Sequence, residues 1–138
     1  MPSASRSDLL YLDSSALVKL VVAEPETPDL LQFLAGWPHR VSSALARVEV
    51  LRAVKRTGAG PAVRRRAARV VARVALIRID DPVLAAAARV APPELRTLDA
   101  IHLATARSLD GLAGIVTYDA RLGRAASRAR FKVWSPGQ

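Results

Sequence analysis

Acidic residues are scarce in this 138-residue chain, 12 against 21 Lys and Arg, so where they fall carries information. Two of them directly follow short apolar runs. Asp13 follows Leu9-Leu10-Tyr11-Leu12, and Asp119 comes just after Gly114-Ile115-Val116-Thr117. Runs of this kind read as buried strands. In a parallel sheet, ligands bind beyond the carboxyl ends of the strands, where strand order reverses. Two more acids, Glu49 and Asp99, sit inside helical patterns. Glu49 has Leu45, Ala46, Arg52 and Ala53 at three and four residues' distance, and Asp99 shares a helix face with Leu103 and Ala106. A carboxylate on such an inward face must be paired, protonated or bound to metal. Four carboxylates gathered at one sheet edge would repel one another, and a divalent cation would resolve that. Such an ion takes oxygen ligands, can activate a bound water, and stabilises displacement at phosphorus.

Each acid also has a plainer reading. Asp13 and Asp119 are placed to cap the helices that follow them. Glu49 can pair with Arg52 or another arginine, and Asp99 with Arg96. Asp80 and Asp81 also follow a strand, but they read as caps for a helix at Pro82 rather than as site residues. His102 lies three residues beyond Asp99 on the same face. It is a candidate ligand or base, although a histidine on an apolar face is more often a hydrogen-bonded packing residue, and that reading is preferred. His39 reads as structural.

The elements that would position these residues alternate. After the first strand, Ser14 or Ser15 caps a helix through Val22. Thr27 or Asp29 opens a second helix through Leu34, stopped by Gly36-Trp37-Pro38. His39 to Val41 reads as a second strand, and Ser42 or Ser43 caps a helix from Ala44 to Thr57. Pro61 opens an arginine-studded helix, 62–74, which carries Arg64, Arg65, Arg66, Arg69 and Arg73 as a solvated face. Leu76 to Ile79 alternates like a strand. Thr97 caps a helix through Leu109, a last helix runs from Ala120 to Ala129, and Phe131 to Trp134 closes the chain as a strand. Strands alternating with helices define an α/β fold with a mainly parallel sheet. With no internal repeat and no long linker, residues 1–138 are expected to form one domain.

Composition narrows the function. Hydrophobic residues make up 51% of the chain, enough for a packed core, and no run of about 18 apolar residues would span a membrane. Met1 to Asp8 is polar and lacks the apolar stretch of a secretory leader. The absence of cysteine excludes disulfides and thiolate metal sites and agrees with a cytoplasmic protein. The net charge is +9, and only Lys19, Lys55 and Lys132 are lysines. Arginine's planar fork suits phosphate, which favours a nucleic-acid partner. Arg121, Arg124 and Arg128 line one side of the last helix, which starts beside Asp119, and are candidates for backbone-phosphate contacts. Val21, Val22, Leu30, Leu31 and Leu34 could build either core or a partner surface, with dimer contact preferred.

Four segments together resemble a PIN-domain nuclease, most nearly the VapC-type toxins of bacterial toxin–antitoxin pairs. They are Tyr11-Leu12-Asp13-Ser14-Ser15-Ala16, Ser42-Ser43-Ala44-Leu45-Ala46-Arg47-Val48-Glu49, Leu98-Asp99-Ala100-Ile101-His102-Leu103-Ala104, and Ile115-Val116-Thr117-Tyr118-Asp119. The resemblance runs from Leu9 to Val133. It implies a three-layer α/β/α sandwich with a mainly parallel sheet of four or five strands. It implies Mg²⁺ or Mn²⁺ held by Asp13, Asp99 and Asp119, with Glu49 nearby as ligand, water-orienting group or base, and Ser14 and Thr117 as supporting hydroxyls. It further implies an endoribonuclease acting on structured RNA such as tRNA or rRNA, a cognate antitoxin that blocks the site, and a homodimer. Two alternatives remain: a nucleic-acid-binding module without catalysis, and a nuclease of the same kind acting on another nucleic acid.

Overall fold

In the computed structural model, residues 8–138 are described. The opening segment, 1–7, on which most of the expected absence of a leader rests, lies outside them. Five strands form one sheet in the order β3-β2-β1-β4-β5, and every neighbouring pair is parallel. The strands are β1 (Leu9–Leu12), β2 (His39–Ser43), β3 (Ala75–Ile77), β4 (Leu112–Val116) and β5 (Val133–Trp134). Seven helices connect them: α1 (Ser14–Val21), α2 (Thr27–Leu34), α3 (Leu45–Arg56), α4 (Pro61–Ala72), α5 (Asp81–Ala87), α6 (Thr97–Arg107) and α7 (Ala120–Arg128). The chain grows from β1 to β3 in one direction and then crosses back to β4 on the other side of β1. Strand order therefore reverses between β1 and β4, and their carboxyl ends carry Asp13 and Asp119.

The period of two along β1 splits the core into two faces. Leu10 and Leu12 point into a cluster with Ala16, Leu17 and Val21 of α1, Leu30 and Leu34 of α2, and Val50 and Val54 of α3. Tyr11 points the other way, to Leu103 and Ala106 of α6 and Leu122, Ala125 and Ala126 of α7. Helices on both faces of a parallel sheet make the expected three-layer sandwich. At β4 the fit is tight: a Cβ on Gly114 would run into the Trp134 ring and stand 2.7 Å from the Lys132 carbonyl, so only glycine lets β5 lie this close.

Several expectations shift. Of the apolar residues of α1 and α2 expected at a dimer contact, Val21, Leu30 and Leu34 are buried in the core, while Leu31 is 56% exposed. The Ser14 or Ser15 cap is taken by Asp13, whose extended backbone leaves the strand and whose Oδ1 accepts from Ala16 N at 3.0 Å. Thr97 does not cap α6. The cap position is Arg96, whose side chain is turned to two carboxylates and makes no cap bond. Asp80 caps α5 through Val83 N, as expected, and β3 lies at the sheet edge, away from the strand-order reversal.

Candidate active site

Asp13 is the most deeply buried carboxylate of the site, at 3% exposure. Ser15 Oγ donates to its Oδ1 at 2.7 Å, and Thr117 Oγ1 donates to its Oδ2 at 2.6 Å. These two hydroxyls tie the turns together, because Ser15 Oγ accepts from Tyr118 N at 2.9 Å and Thr117 Oγ1 accepts from Asp119 N at 3.0 Å. The strand-to-helix turn after β1 is thereby fastened to the one after β4. Among the described residues no Lys or Arg forms an ion pair with Asp13. Burial pushes its carboxyl above the usual range, and the bonds from Ser15, Thr117 and the Ala16 amide only partly offset that.

Asp119 caps α7, its Oδ1 accepting from Arg121 N at 2.9 Å and Leu122 N at 3.0 Å. Burial pushes its carboxyl up, but the Leu122 amide, the Arg96 charge and the Arg121 amide outweigh it, and the acid stays below its ordinary value. Asp99, on the first turn of α6, is 8% exposed, and burial holds its carboxyl above the ordinary value despite Arg96. Arg96 joins the two acids. Its Nε and Nη2 both lie 2.9 Å from Asp99 Oδ2, and Nη2 also contacts Asp119 Oδ2.

Glu49, half-buried on α3, stands at the end of a second chain of bonds. Ser14 Oγ donates to its Oε1, and His102 Nε2 lies 2.7 Å from the same oxygen. His102 Nδ1 is 2.7 Å from the Tyr11 hydroxyl, and the two rings meet edge to face at 5.8 Å. Burial keeps the Tyr11 phenol protonated. A neutral His102 ring that accepts from this phenol at Nδ1 carries its proton on Nε2 and donates it to Glu49. Burial pushes Glu49 up, but the His102 and Ser14 bonds prevail and hold it below the ordinary carboxylate range.

All four sequence candidates thus lie in the carboxyl-end region of the sheet, joined by two hydrogen-bonded groups, Asp13–Thr117–Asp119–Arg96–Asp99 and Ser14–Glu49–His102–Tyr11. The supposed Glu49–Arg52 pairing is not made, whereas the Asp99–Arg96 pairing is. Ser14 supports Glu49, and Thr117 supports Asp13. His102 is buried and hydrogen-bonded as expected, with Tyr11 and Glu49 as its partners. Ser15, Arg96 and Tyr11 were not singled out from the sequence as site residues. The hydroxyl two residues after Asp13 was the available signal for Ser15. Nothing in the sequence marked the Tyr11 hydroxyl, 91 positions from His102.

The donors suit a hard divalent cation in kind, being carboxylate oxygens, and Asp13 is a buried acid with no Lys or Arg beside it. With Arg96 lodged between Asp99 and Asp119, no three acidic or histidine side chains among the described residues stand close enough to share one ion.

Residues 10–128 match the PIN domain family model. The chain is 48% identical over 128 residues to Ribonuclease VapC46 of Mycobacterium tuberculosis, covering 92% of this chain and 97% of that one. In shape it is similar to M. tuberculosis VapC20, described as a sarcin-ricin loop cleaving toxin, with a TM-score of 0.71 at 18% identity over 92% of this chain and 99% of the other. It is also similar to a chain of a toxin–antitoxin complex from Klebsiella pneumoniae, with a TM-score of 0.64 at 21% identity, covering 80% and 86%. The chain belongs to the PIN domain family, among its VapC-type ribonucleases.

Proposed function

We propose that this protein is a divalent-metal-dependent endoribonuclease, the toxin of a toxin–antitoxin pair, acting on structured RNA in the cytoplasm. The observation that carries the reading is Asp13, a buried carboxylate with no Lys or Arg partner, placed where strand order reverses and tied through Thr117 to Asp119. With Arg96 withdrawn and the acids drawn closer than they stand here, Asp13, Asp99 and Asp119 would hold Mg²⁺ or Mn²⁺, and Glu49 would orient or deprotonate water. A bound ion would supply a water of lowered pKa and offset charge developing at phosphorus. Thr117 and Ser15 fix the rotamer of Asp13, and Ser14 and His102 fix that of Glu49. The ribonuclease names of the relatives support RNA as substrate. The Klebsiella complex supports an antitoxin partner, and the VapC20 description supports an rRNA loop as one target class alongside tRNA. A homodimer completes the assembly.

The RNA backbone would be held on α7. Arg121, Arg124 and Arg128 are exposed and line a hollow of about 390 Å³ with Pro92, Glu94 and Leu95, and Arg124 also lines the depression beside Thr117 and Asp119. Replacing Arg124 and Arg128 together with Ala is expected to weaken binding of unrelated RNAs alike. It should reduce the slope of log affinity against log salt by about 1–2, as expected when two phosphate contacts are lost. An unchanged slope in filter-binding titrations would remove α7 from the RNA path.

The second reading, RNA binding without catalysis, is favoured by one observation: Arg96 already pairs with both Asp99 and Asp119. The two readings separate in a single experiment. Purified protein incubated with total tRNA and rRNA should yield discrete fragments with Mn²⁺ or Mg²⁺ and none with excess chelator. Binding without fragments at any metal concentration would select the second reading.

A further inference from the structure

Arg96 is held in an unusual way for a site cation. Its guanidinium lies between Asp99 and Asp119, yet 55% of its side chain is exposed. Its backbone is the extended cap of α6, just after the turn-rich segment that follows α5, and its side chain makes no cap bond. Among the described residues its side chain bonds only these two carboxylates, so it can leave them by rotating, without unfolding anything. An exposed ion pair of this sort contributes little to stability. Its consequence lies elsewhere: Asp99 and Asp119, brought to the same edge from two different elements, already share one positive charge.

We infer that Arg96 is a built-in competitor of the divalent cation, a guanidinium that occupies Asp99 and Asp119 in the metal-free protein and must swing out before those acids can accept a metal. The inference rests on the metal-dependent reading above. A ligand that binds only one of two states loses affinity in proportion to how rarely that state is populated. Wild-type protein therefore binds metal only through its arginine-out fraction, and metal binding weakens Arg96's hold. Arg96 directly follows Glu94 and Leu95 in the chain, and these line the hollow that holds Arg121 and Arg124. Once released, it is free to meet an RNA phosphate, so a phosphate and a metal would pull the same switch in the same direction.

The test is Mn²⁺ binding to RNA-free protein, followed by calorimetry and by the loss of the free-Mn²⁺ spin-resonance signal, for wild type, Arg96→Gln and Arg107→Gln. Arg107 lies at the far end of α6, and its replacement removes the same unit of charge without touching the acids. Arg96→Gln is expected to bind Mn²⁺ roughly tenfold more tightly than wild type, as when a competing state is removed, while Arg107→Gln changes affinity by less than about twofold. Mn²⁺ should raise the melting temperature of Arg96→Gln by a larger increment than that of wild type. Equal or weaker Mn²⁺ binding by Arg96→Gln overturns the inference, as does equal tightening by both variants. Should the wild type show Mn²⁺-dependent cleavage while Arg96→Gln keeps wild-type Mn²⁺ affinity, the competition fails alone. Should no variant bind Mn²⁺, the metal-dependent reading fails with it.

Discussion

Asp13→Asn is expected to abolish RNA cleavage, a loss of at least about 10³-fold, while making the metal-free protein more stable. The two halves have one cause. Asp13 is buried and accepts three hydrogen bonds, but no Lys or Arg pairs with it. Asparagine has nearly the same shape. Its oxygen keeps the Ser15 and Ala16 bonds, and its amide can face Thr117 Oγ1. What disappears is a buried negative charge, which is useful only when a cation is present. Removing it should contribute about 1–3 kcal/mol, or a few degrees in melting temperature for a domain of this size.

The pH dependence fixes the sign. Burial raises the folded-state pKa of Asp13 above its unfolded value near 3.8, so the folded chain holds this proton more tightly. The stability this provides is fully present below the unfolded pKa and is lost as pH rises through the folded one. Asn cannot ionise, so the advantage of Asp13→Asn should be greatest at neutral pH and fade toward pH 4. Calorimetric melts at a series of pH values, run beside gel assays of cleavage, read both halves. A variant that melts lower than wild type at pH 7, or still cuts RNA, would refute the assignment.

Much of this was legible in the sequence because it was written in periods and boundaries. Alternation along Leu9–Leu12 and the apolar ends of β4 announced a sheet with two covered faces. The placement of Asp13 and Asp119 just past those strands puts them at the carboxyl edge of the sheet, where strand order reverses. Asp99 and Glu49 were visible as acids on apolar helix faces. The misses have a common physical origin. A cap is decided by backbone angles at a single residue, so of the two cap readings offered for α1 Asp13 holds rather than Ser14 or Ser15, and Arg96 takes the place of Thr97. Whether Val21, Leu30 and Leu34 faced a partner or the core depended on where α1 and α2 pack against β1 and α3, which local periodicity does not encode. Side-chain pairs such as Arg96 with Asp119, 23 residues apart, or Tyr11 with His102, depend on how separate elements meet across the sheet.

His102→Ala is expected to lower both stability and cleavage, and the pH profile separates the two effects. Loss of the buried ring leaves a cavity and takes the His102 partner from the buried Tyr11 hydroxyl, a cost of about 2–4 kcal/mol. Cleavage should fall about 10–100-fold, the usual consequence of removing a partner that orients a site ligand or base. A purely structural loss would depress the rate equally at every pH. Here, however, the His102 bond is the largest influence holding the Glu49 carboxyl down against burial. Without it, Glu49 keeps its proton to higher pH, and the acid limb of the pH–rate profile should move upward. His102→Gln can still donate to Glu49 and should recover part of the rate and return the limb toward its wild-type position. Tyr11→Phe leaves the imidazole in place but frees its tautomer, so it should cost less than His102→Ala in both melting temperature and rate. A uniform rate loss in His102→Ala, with no displacement of the acid limb and no recovery in His102→Gln, would return His102 to a packing role and leave Glu49 oriented by Ser14 alone.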